Sequence, residues 1–405
     1  MRASMRAAAL LALILALLVA GCGSSDETET GASASEVATG SDYTDWPLFG
    51  RVPQRTHYLA ADRKALDPPL KQDWSINTHA LIEFPPAVHD GIAYVINKYG
   101  NGKAVRLSDR KVLWELNIRP SDKGKPNFVT APVYYEGRIY GAFLTGHLAA
   151  GDAATGKKVW VRKFDAHLES SPLAVDGNLY LGTDTTNLLA LDAASGKTLW
   201  SFNAPGAIKA SPSYDDGKVF FADYQSSMFA LDAKNGKPIW RSNTSKVPPF
   251  GHGGFFSSPA IAFGNVYAAR DDGTVYAFDE KTGKVEWHFD TGDYVYGSPA
   301  VAQVPGTPPT VYIGAENGRF FALDARTGKA RWHYDVGGPI PGTATVIGHT
   351  VYTSSFETQE TTGLDVRTHK RTFHLDDAGY TPMVSDGMRL YLIGYYDLIG
   401  LEPKR

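Results

Sequence analysis

The chain has very little cysteine: its 405 residues contain one, Cys22. A single thiol cannot form an intrachain disulfide or a dithiol redox pair, so both are excluded. Runs of Lys and Arg are also missing and the formal net charge is −3, which argues against a nucleic-acid partner. The histidines are scattered and show none of the paired spacings that bind zinc, so we predict no metal site.

Long hydrophobic runs are missing except near the N-terminus, where residues 8–20 are uninterrupted and apolar. This run is too short to span a bilayer and follows Arg2 and Arg6, which is typical of a signal peptide over residues 1–21. It ends in Leu-Val-Ala-Gly-Cys22, which resembles a bacterial lipobox. The resemblance implies that a lipid on Cys22 anchors the protein to the extracytoplasmic side of a membrane. Ordinary secretion with an incidental cysteine is the alternative.

Apolar side chains are scarce again over residues 22–41, which are rich in Gly, Ser, Thr, Ala and acidic residues. Such a composition cannot bury a core, so we predict a flexible tether. Residues 42–405 then form the folded domain, which we expect to be monomeric.

Tryptophan recurs at regular intervals of 40 to 47 residues, at Trp74, Trp114, Trp160, Trp200, Trp240, Trp287 and Trp332. Four of these end a motif of the form Leu/Phe-Asp-x-x-x-Gly-Lys-x-x-Trp, as at residues 191–200. Each repeat contains short apolar runs separated by Asp-Gly or Gly-Lys turns, which predicts antiparallel strands joined by hairpins. A period near 40 residues predicts the four-stranded blades of an all-β propeller.

The repeat pattern predicts eight blades, with inner strands starting near Pro86, Pro132, Pro172, Pro212, Pro259, Pro299, Thr343 and Pro382. The last blade has only three strands of its own, and residues 71–76 form an orphan strand before the first blade. We expect the orphan strand to complete the last blade and close the ring, because closure removes both exposed edges. Seven blades are the alternative, if residues 342–374 do not form a full blade.

The seven recurring tryptophans are predicted to be structural. An indole ring on each outer strand is large enough to pack across the seam to the neighbouring blade. Seven copies in one register are packing units rather than seven active sites.

The repeat Ala-Leu-Asp-Ala-x-x-Gly-Lys-x-x-Trp, with the lead-in Trp-Pro-Leu-Phe-Gly at residues 46–50, resembles the quinoprotein (PQQ-like) propeller family over residues 46–402. The family contains PQQ-dependent alcohol dehydrogenases with bound calcium. It also contains non-catalytic members such as the lipoprotein that assists outer-membrane barrel assembly. The dehydrogenases carry a vicinal disulfide and a Glu, Asn and Asp calcium set, which cannot be assigned here. We therefore expect no bound PQQ and assign no catalytic residue.

Loops of variable length gather on one face of the predicted propeller, around the mouth of the central channel. Loops on a rigid scaffold are where binding residues concentrate. We predict a rim for a protein or peptide partner on this face, formed by Phe128, His167, Glu169, Tyr224, His252, Phe255, Phe256, Tyr294, Tyr296, Tyr380 and Tyr396. The alternative is that these side chains only plug the channel and pack loop on loop.

Two functions follow. The leading hypothesis is a membrane-anchored, extracytoplasmic lipoprotein that acts as a non-catalytic scaffold for proteins or peptides, in envelope or outer-membrane protein assembly. The alternative is an enzyme, a PQQ-dependent and calcium-assisted oxidoreductase that resembles alcohol or sugar dehydrogenases.

Overall fold

A computed structural model describes residues 44–117, 129–247, 253–355, 357–376 and 382–404. The described residues form eight β-sheets and two short 3-10 helices, Lys64–Leu66 and Thr244–Lys246. No helix among them is long and apolar enough to cross a membrane. The predicted signal peptide and tether, and the predicted residues Cys22, Phe128, His252 and Tyr380, lie outside the described residues.

The strands follow the chain blade by blade. Two precede the first blade: β1 Tyr58–Leu59 and β2 Leu70–Asn77. Blades 1 and 2 contain β3 Ala87–His89, β4 Ile92–Ile96, β5 Asn101–Arg106, β6 Lys111–Asn117, β7 Val133–Tyr135, β8 Arg138–Ala142, β9 His147–Asp152 and β10 Lys158–Lys163. Blades 3 and 4 contain β11 Leu173–Val175, β12 Asn178–Gly182, β13 Asn187–Asp192, β14 Thr198–Asn203, β15 Ser213–Asp215, β16 Lys218–Ala222, β17 Ser227–Asp232 and β18 Pro238–Asn243.

The second half of the ring repeats this order. Blades 5 and 6 contain β19 Ala260–Ala262, β20 Asn265–Ala269, β21 Thr274–Asp279, β22 Val285–Asp290, β23 Ala300–Ala302, β24 Thr310–Gly314, β25 Arg319–Asp324 and β26 Ala330–Asp335. Blades 7 and 8 contain β27 Thr345–Ile347, β28 Thr350–Ser355, β29 Glu360–Asp365, β30 Arg371–Asp376, β31 Val384–Ser385, β32 Leu390–Gly394 and β33 Asp397–Pro403. The eight-bladed propeller is confirmed, and the seven-bladed alternative is wrong.

The four strands of blades 1 to 7 are antiparallel and follow chain order outwards from the channel. In blade 7 the short strand β1 also pairs with β27, in the parallel direction. The middle strands are buried on both faces and read as near-continuous apolar runs, as in Leu188–Leu191 of β13. The hairpin that follows β13 is fixed by Asp192, whose Oδ1 accepts the N–H of Ser195 at 2.7 Å. Gly196 then supplies the positive φ of 67° that the turn requires.

The N-terminal strand closes the ring, as predicted. β2 pairs antiparallel with β33, from Leu70 opposite Pro403 to Asn77 opposite Asp397. The last blade therefore has the strand order β2-β33-β32-β31. One hydrophobic cluster joins blades 7, 8 and 1, with members such as Ile347, Leu392 and Val95.

The recurring tryptophans lie at the seams between blades. In blade 3 the indole N–H of Trp200 donates to the Ala233 carbonyl of blade 4 at 3.0 Å. The ring covers Gly236, where an added Cβ would come within 2.6 Å of it. The same donation to the next blade is made by Trp114, Trp160, Trp240 and Trp287.

The remaining two tryptophans depart from this pattern. Trp332 stacks on His369 of blade 7, with ring centroids 5.0 Å apart. Trp74 lies against Gly400 of its own blade, and its indole nitrogen has no hydrogen-bond partner among the described residues. Both lie next to blades whose sequences deviate from the repeat.

The lead-in segment before β2 lies across one end of the central channel, and we call residues 46–59 the channel floor. Its backbone bonds to inner strands of blades 1, 2, 4, 5, 6 and 7, through partners such as Val88, Tyr214 and Val301. The buried guanidinium of Arg55 reaches blade 3, donating to the carbonyls of Ser171 and Pro172. The floor therefore ties seven blades together from inside.

Candidate functional site: a pocket in the mouth of the channel

The channel mouth, opposite the floor, contains a cavity of about 450 Å³. This volume is in the range of small-molecule sites. Seven blades and the floor contribute its lining: Phe49, Glu83, Phe84, Glu169, Ser171, Lys209, Ser211, Phe256, Ser258, Tyr296, Ser298, Pro341, Gly342, Thr343 and Pro382.

A belt of hydroxyl groups surrounds the cavity just before the inner strands. The N–H of Ser171 donates to Ser211 Oγ at 2.9 Å, and the N–H of Ser211 donates to Ser258 Oγ at 3.1 Å. The series continues to Ser298 Oγ and Thr343 Oγ1. Each bond runs from one blade to the next, so the belt fixes the position of the residues above it.

The functional groups of the pocket occupy one position of the repeat, three residues before the proline that opens the inner strand. In blades 1, 3, 4, 5 and 6 this position holds Glu83, Glu169, Lys209, Phe256 and Tyr296. The prediction from variable loop length included Glu169, Phe256 and Tyr296 but missed Glu83 and Lys209. Aligning the repeats with one another would have found both residues. The side chain at this position varies in charge and shape from blade to blade, whereas the neighbouring positions repeat.

Lys209 is held between a carboxylate and two aromatic rings. Its Nζ lies 3.2 Å from Glu169 Oε1. The same nitrogen lies 5.1 Å from the ring centroid of Tyr224 and 5.4 Å from that of Phe256, within cation–π range. The ammonium and the Glu169 carboxylate therefore neutralise each other at the pocket wall.

Glu83 lacks such a partner. Its Oε2 is buried and accepts no hydrogen bond among the described residues. Burial raises the pKa of the Glu83 carboxyl, against the opposing charge of Lys98 and the backbone N–H of Val129. A carboxyl with a raised pKa in a cleft is a candidate general acid or base.

Aromatic rings form the wall of the pocket on blades 4 to 6. Tyr224 meets Phe256 edge to face at 5.5 Å, and Phe256 meets Tyr296 in the same way at 5.9 Å. Tyr294 stacks nearly parallel to Tyr296, with a 7° angle between the rings. Tyr294 and Tyr296 are 55% and 41% exposed, so the wall continues outwards to solvent.

The other predicted rim residues divide into three cases. Phe255 is fully buried and packs on Tyr276 and Phe278 in the core, so its assignment to the rim was wrong. The alternation of neighbouring side chains turns Phe255 inwards when Phe256 faces the pocket. His167 is exposed and pairs with Asp184, its Nδ1 3.1 Å from the carboxylate. Tyr396 is 50% exposed on the same face but does not line the pocket.

The described pocket residues do not fit calcium-assisted PQQ chemistry. A calcium ion takes six to eight oxygen ligands, with carboxylates prominent among them. The lining offers two carboxylates, and that of Glu169 is already paired with Lys209. The only cysteine of the chain is Cys22, so no disulfide can cover a quinone. We therefore derive no step through PQQ or calcium.

Comparison with known proteins identifies the family. A family model described as "Outer membrane protein assembly factor BamB" (PQQ_2) matches residues 144–252 and 250–395. The chain belongs to this family. Membership confirms the PQQ-like repeat and agrees with the predicted extracytoplasmic location.

The curated relatives of this family member carry dehydrogenase names. One is "Alcohol dehydrogenase (quinone), dehydrogenase subunit" from Komagataeibacter europaeus, 36% identical over 160 residues. The match covers 36% of this chain and 22% of the relative, so the chain spans about a fifth of the length of the curated relatives it matches.

Solved structures of both kinds share the fold. "Europium-containing methanol dehydrogenase" superposes with a TM-score of 0.71 and 15% identity, covering 88% of this chain and 90% of that one. BamB from Moraxella catarrhalis superposes with a TM-score of 0.68 and 18% identity, covering 82% and 99%. At this identity the likeness concerns the propeller alone.

The leading hypothesis of a non-catalytic protein-binding scaffold is wrong in the light of these comparisons. The curated sequence relatives are alcohol dehydrogenases, which favours the dehydrogenase-like alternative. The fold is also used by an assembly factor, so the BamB likeness supports a protein partner in general terms only. The specific rim partner and lipidation of Cys22 stay predictions.

Proposed function

We propose that the protein has a dehydrogenase-like function outside the cytoplasm, in which the central pocket binds a small hydroxylated molecule, an alcohol or a sugar. The observation that carries the proposal is Glu83, a half-buried carboxyl beside the cavity whose buried Oε2 has no hydrogen-bond partner among the described residues. A hydroxyl group of the ligand can donate a hydrogen bond to this oxygen. The names of the sequence relatives support the substrate class.

The lining supports a hydroxylated ligand over a strongly anionic one. Its described charges are the two carboxylates of Glu83 and Glu169 and one ammonium, that of Lys209. A polycarboxylate would meet this net negative charge, whereas hydroxyl groups can donate to the carboxylates. Phe256 and Tyr296 supply flat apolar surface for the carbon skeleton. Oxidation of such a ligand would also need a two-electron acceptor, and the described lining does not offer a calcium-assisted PQQ site to supply one.

Binding is tested by calorimetry and thermal shift with a panel of alcohols, aldose sugars and sugar alcohols. We expect at least one class to bind, and Tyr296→Ala to weaken its binding about tenfold or more, equivalent to about 1.4 kcal/mol. Tyr396→Ala is the matched control, because Tyr396 is a similarly exposed tyrosine of the same face outside the lining. An equal loss in both variants, or no binding by any class, contradicts the proposal.

The acceptor role of Glu83 is tested by the pH dependence of ligand binding. Because burial raises the Glu83 pKa, the carboxylate form predominates only above the ordinary range of a glutamate. A hydrogen bond to a carboxylate is stronger than one to a neutral carboxyl group, so we expect binding to strengthen as the pH rises through that raised value. Glu83→Gln should bind the same ligand with an affinity that does not change over this pH range. The same pH dependence in Glu83→Gln and in the wild type contradicts the role of Glu83.

A further inference from the structure

The outermost strands of blades 5, 6 and 7 carry the same pair of residues. Each has His-x-Asp at its end: His288 and Asp290 in β22, His333 and Asp335 in β26, and His374 and Asp376 in β30. The three blades therefore offer a comparison in which the last strand is held nearly constant. What differs is the residue that each aspartate faces on the neighbouring strand.

Of these three blades, only blade 7 places a second carboxylate opposite the aspartate, on the neighbouring strand. Asp290 faces Thr274, and Asp335 faces Arg319. Asp376 faces Glu360. Like charges directly opposite each other destabilise an antiparallel pair, so the blade 7 arrangement calls for a cation between them.

His374 lies where such a cation would be bound. Its Nε2 is 3.0 Å from Asp376 Oδ1, and its Nδ1 is 3.9 Å from Glu360 Oε2. One ligand atom from each of the three residues lies within 4.8 Å of the others. In the part of the chain that the structure describes, this is the single group of three or more such side chains that meets this distance.

The corresponding histidines of blades 5 and 6 have other surroundings. The ring of His288 lies 6.1 Å from that of Tyr276, and the ring of His333 lies 6.3 Å from that of Phe321. Asp290 and Asp335 accept the N–H groups of the turns that follow, at 2.8 and 3.0 Å. These carboxylates have structural partners, and no second carboxylate faces them.

We propose that Glu360, His374 and Asp376 form a binding site for a divalent transition-metal ion of the zinc class. Imidazole and carboxylate together suit zinc, whereas calcium and magnesium prefer ligand sets made only of oxygen. Three protein ligands leave a position for water, and the exposed side chains of His374 and Asp376 can rotate to close the remaining distances. The ion would also neutralise the repulsion across β29 and β30.

The sequence gives no sign of this site, because its ligands are not closely spaced along the chain. Glu360 and His374 are separated by 14 positions along the chain and meet only through strand pairing. The site lies in the outer strands of blade 7 and shares no residue with the described lining of the central pocket. It is therefore independent of the proposed dehydrogenase-like function.

The test is calorimetric titration of zinc chloride into the untagged, chelator-treated full chain. We expect one ion per chain, and at least tenfold weaker binding in His374→Ala and in Glu360→Gln. His333→Ala is the matched control and should bind like the wild type, because its strand position is the same. Circular dichroism checks that each variant is folded. If His374→Ala does not fold, Glu360→Gln alone tests the site.

A competition series identifies the class of ion. Zinc should persist in a large excess of calcium or magnesium. Failure of the wild type to bind, an equal loss in His333→Ala, or unchanged binding in both blade 7 variants overturns the site. Tighter binding of calcium than of zinc overturns the assignment of the ion.

Discussion

The two ends of the channel differ in how far their polar groups are satisfied by hydrogen bonds. At the floor, Arg55 is fully buried and donates four hydrogen bonds to carbonyls of the floor itself and of blades 3 and 4. At the mouth, Glu83 has an unpartnered oxygen and Tyr296 faces solvent. Both regions contact the same inner strands, so the difference does not come from the scaffold.

The floor contributes to the stability of the propeller, whereas the mouth leaves polar and aromatic groups available to a ligand. The floor holds Arg55 and His57 with φ near 52°, an uncommon conformation for residues other than glycine, which persists because the blades fix the segment. At the mouth, the hydroxyl groups of the belt accept hydrogen bonds from the neighbouring blade. The charged and aromatic side chains above the belt face the cavity. Variants at the two ends should therefore differ in the quantity that they change.

The largest expected effect is loss of stability at the floor. Arg55→Met leaves the carbonyls of Phe49 and Pro212 without their charged donor, and hydrogen bonds to charged groups are each worth about 1.5–3 kcal/mol. We expect the free energy of unfolding in urea to fall by about 3 kcal/mol or more. Lys209→Met at the mouth is the control, and should change it by less than about 1 kcal/mol because its ion pair is partly exposed. Equal losses would remove the distinction between floor and mouth.

The second effect is sensitivity of the floor to acid. Desolvation, with Arg55 nearby, lowers the pKa of His57 from 6.5 to about 3. Below pH 6.5, His57 therefore binds a proton in the unfolded chain but not in the folded chain. The free energy of unfolding has its full value above that pH and declines towards pH 3. The slope is about 1.4 kcal/mol per pH unit.

Replacing His57 should flatten this decline. We expect His57→Leu to retain more of its neutral-pH stability at pH 4.5 than the wild type does, by roughly 2–3 kcal/mol. The exposed His333→Leu should follow the wild type. Parallel pH curves for His57→Leu and the wild type would mean that His57 is protonated, and so exposed to water, in the folded protein.

The repeats made most of the fold predictable. The Asp and Gly of each hairpin and the tryptophan of each outer strand indicate strand, turn and seam by local chemistry, and the orphan strand at the N-terminus had one free edge to pair with. The floor was not predictable, because residues 46–59 have no periodic pattern and their backbone partners on the blades lie 42 to 289 positions away along the chain. The lead-in was recognised only as a family resemblance.

The site was predictable in part, and the reason lies in side-chain direction. Loop length located the correct face and found Tyr296 and Phe256, but it cannot tell that Phe255 turns into the core. Glu83 and Lys209 were missed because charged residues in loops are ordinary. Their role follows from sharing one column of the repeat with the aromatic residues of the wall.

The smallest expected effect reverses the sign seen at the floor. Burial raises the pKa of Glu83, so the folded chain holds its proton more tightly than the unfolded chain does. Stability is then highest below the ordinary glutamate value and declines as the pH rises through the raised one. We expect Glu83→Gln to match the wild type near pH 4 and to exceed its unfolding free energy at pH 7 by less than about 1 kcal/mol, since the group is partly exposed to solvent.

Glu169→Gln supplies the matched control for this last prediction. The Glu169 carboxylate occupies the same repeat position but is paired with Lys209 at 3.2 Å. Neutralising it removes an attraction, so at pH 7 this variant should be slightly less stable than the wild type while Glu83→Gln is slightly more stable. Opposite signs would establish that the pocket pairs one of its two carboxylates and leaves the other for a ligand. A loss of stability in both variants would mean that Lys98 and the Val129 N–H stabilise the Glu83 carboxylate by more than burial destabilises it, and would contradict its proposed role as the acceptor for a ligand hydroxyl.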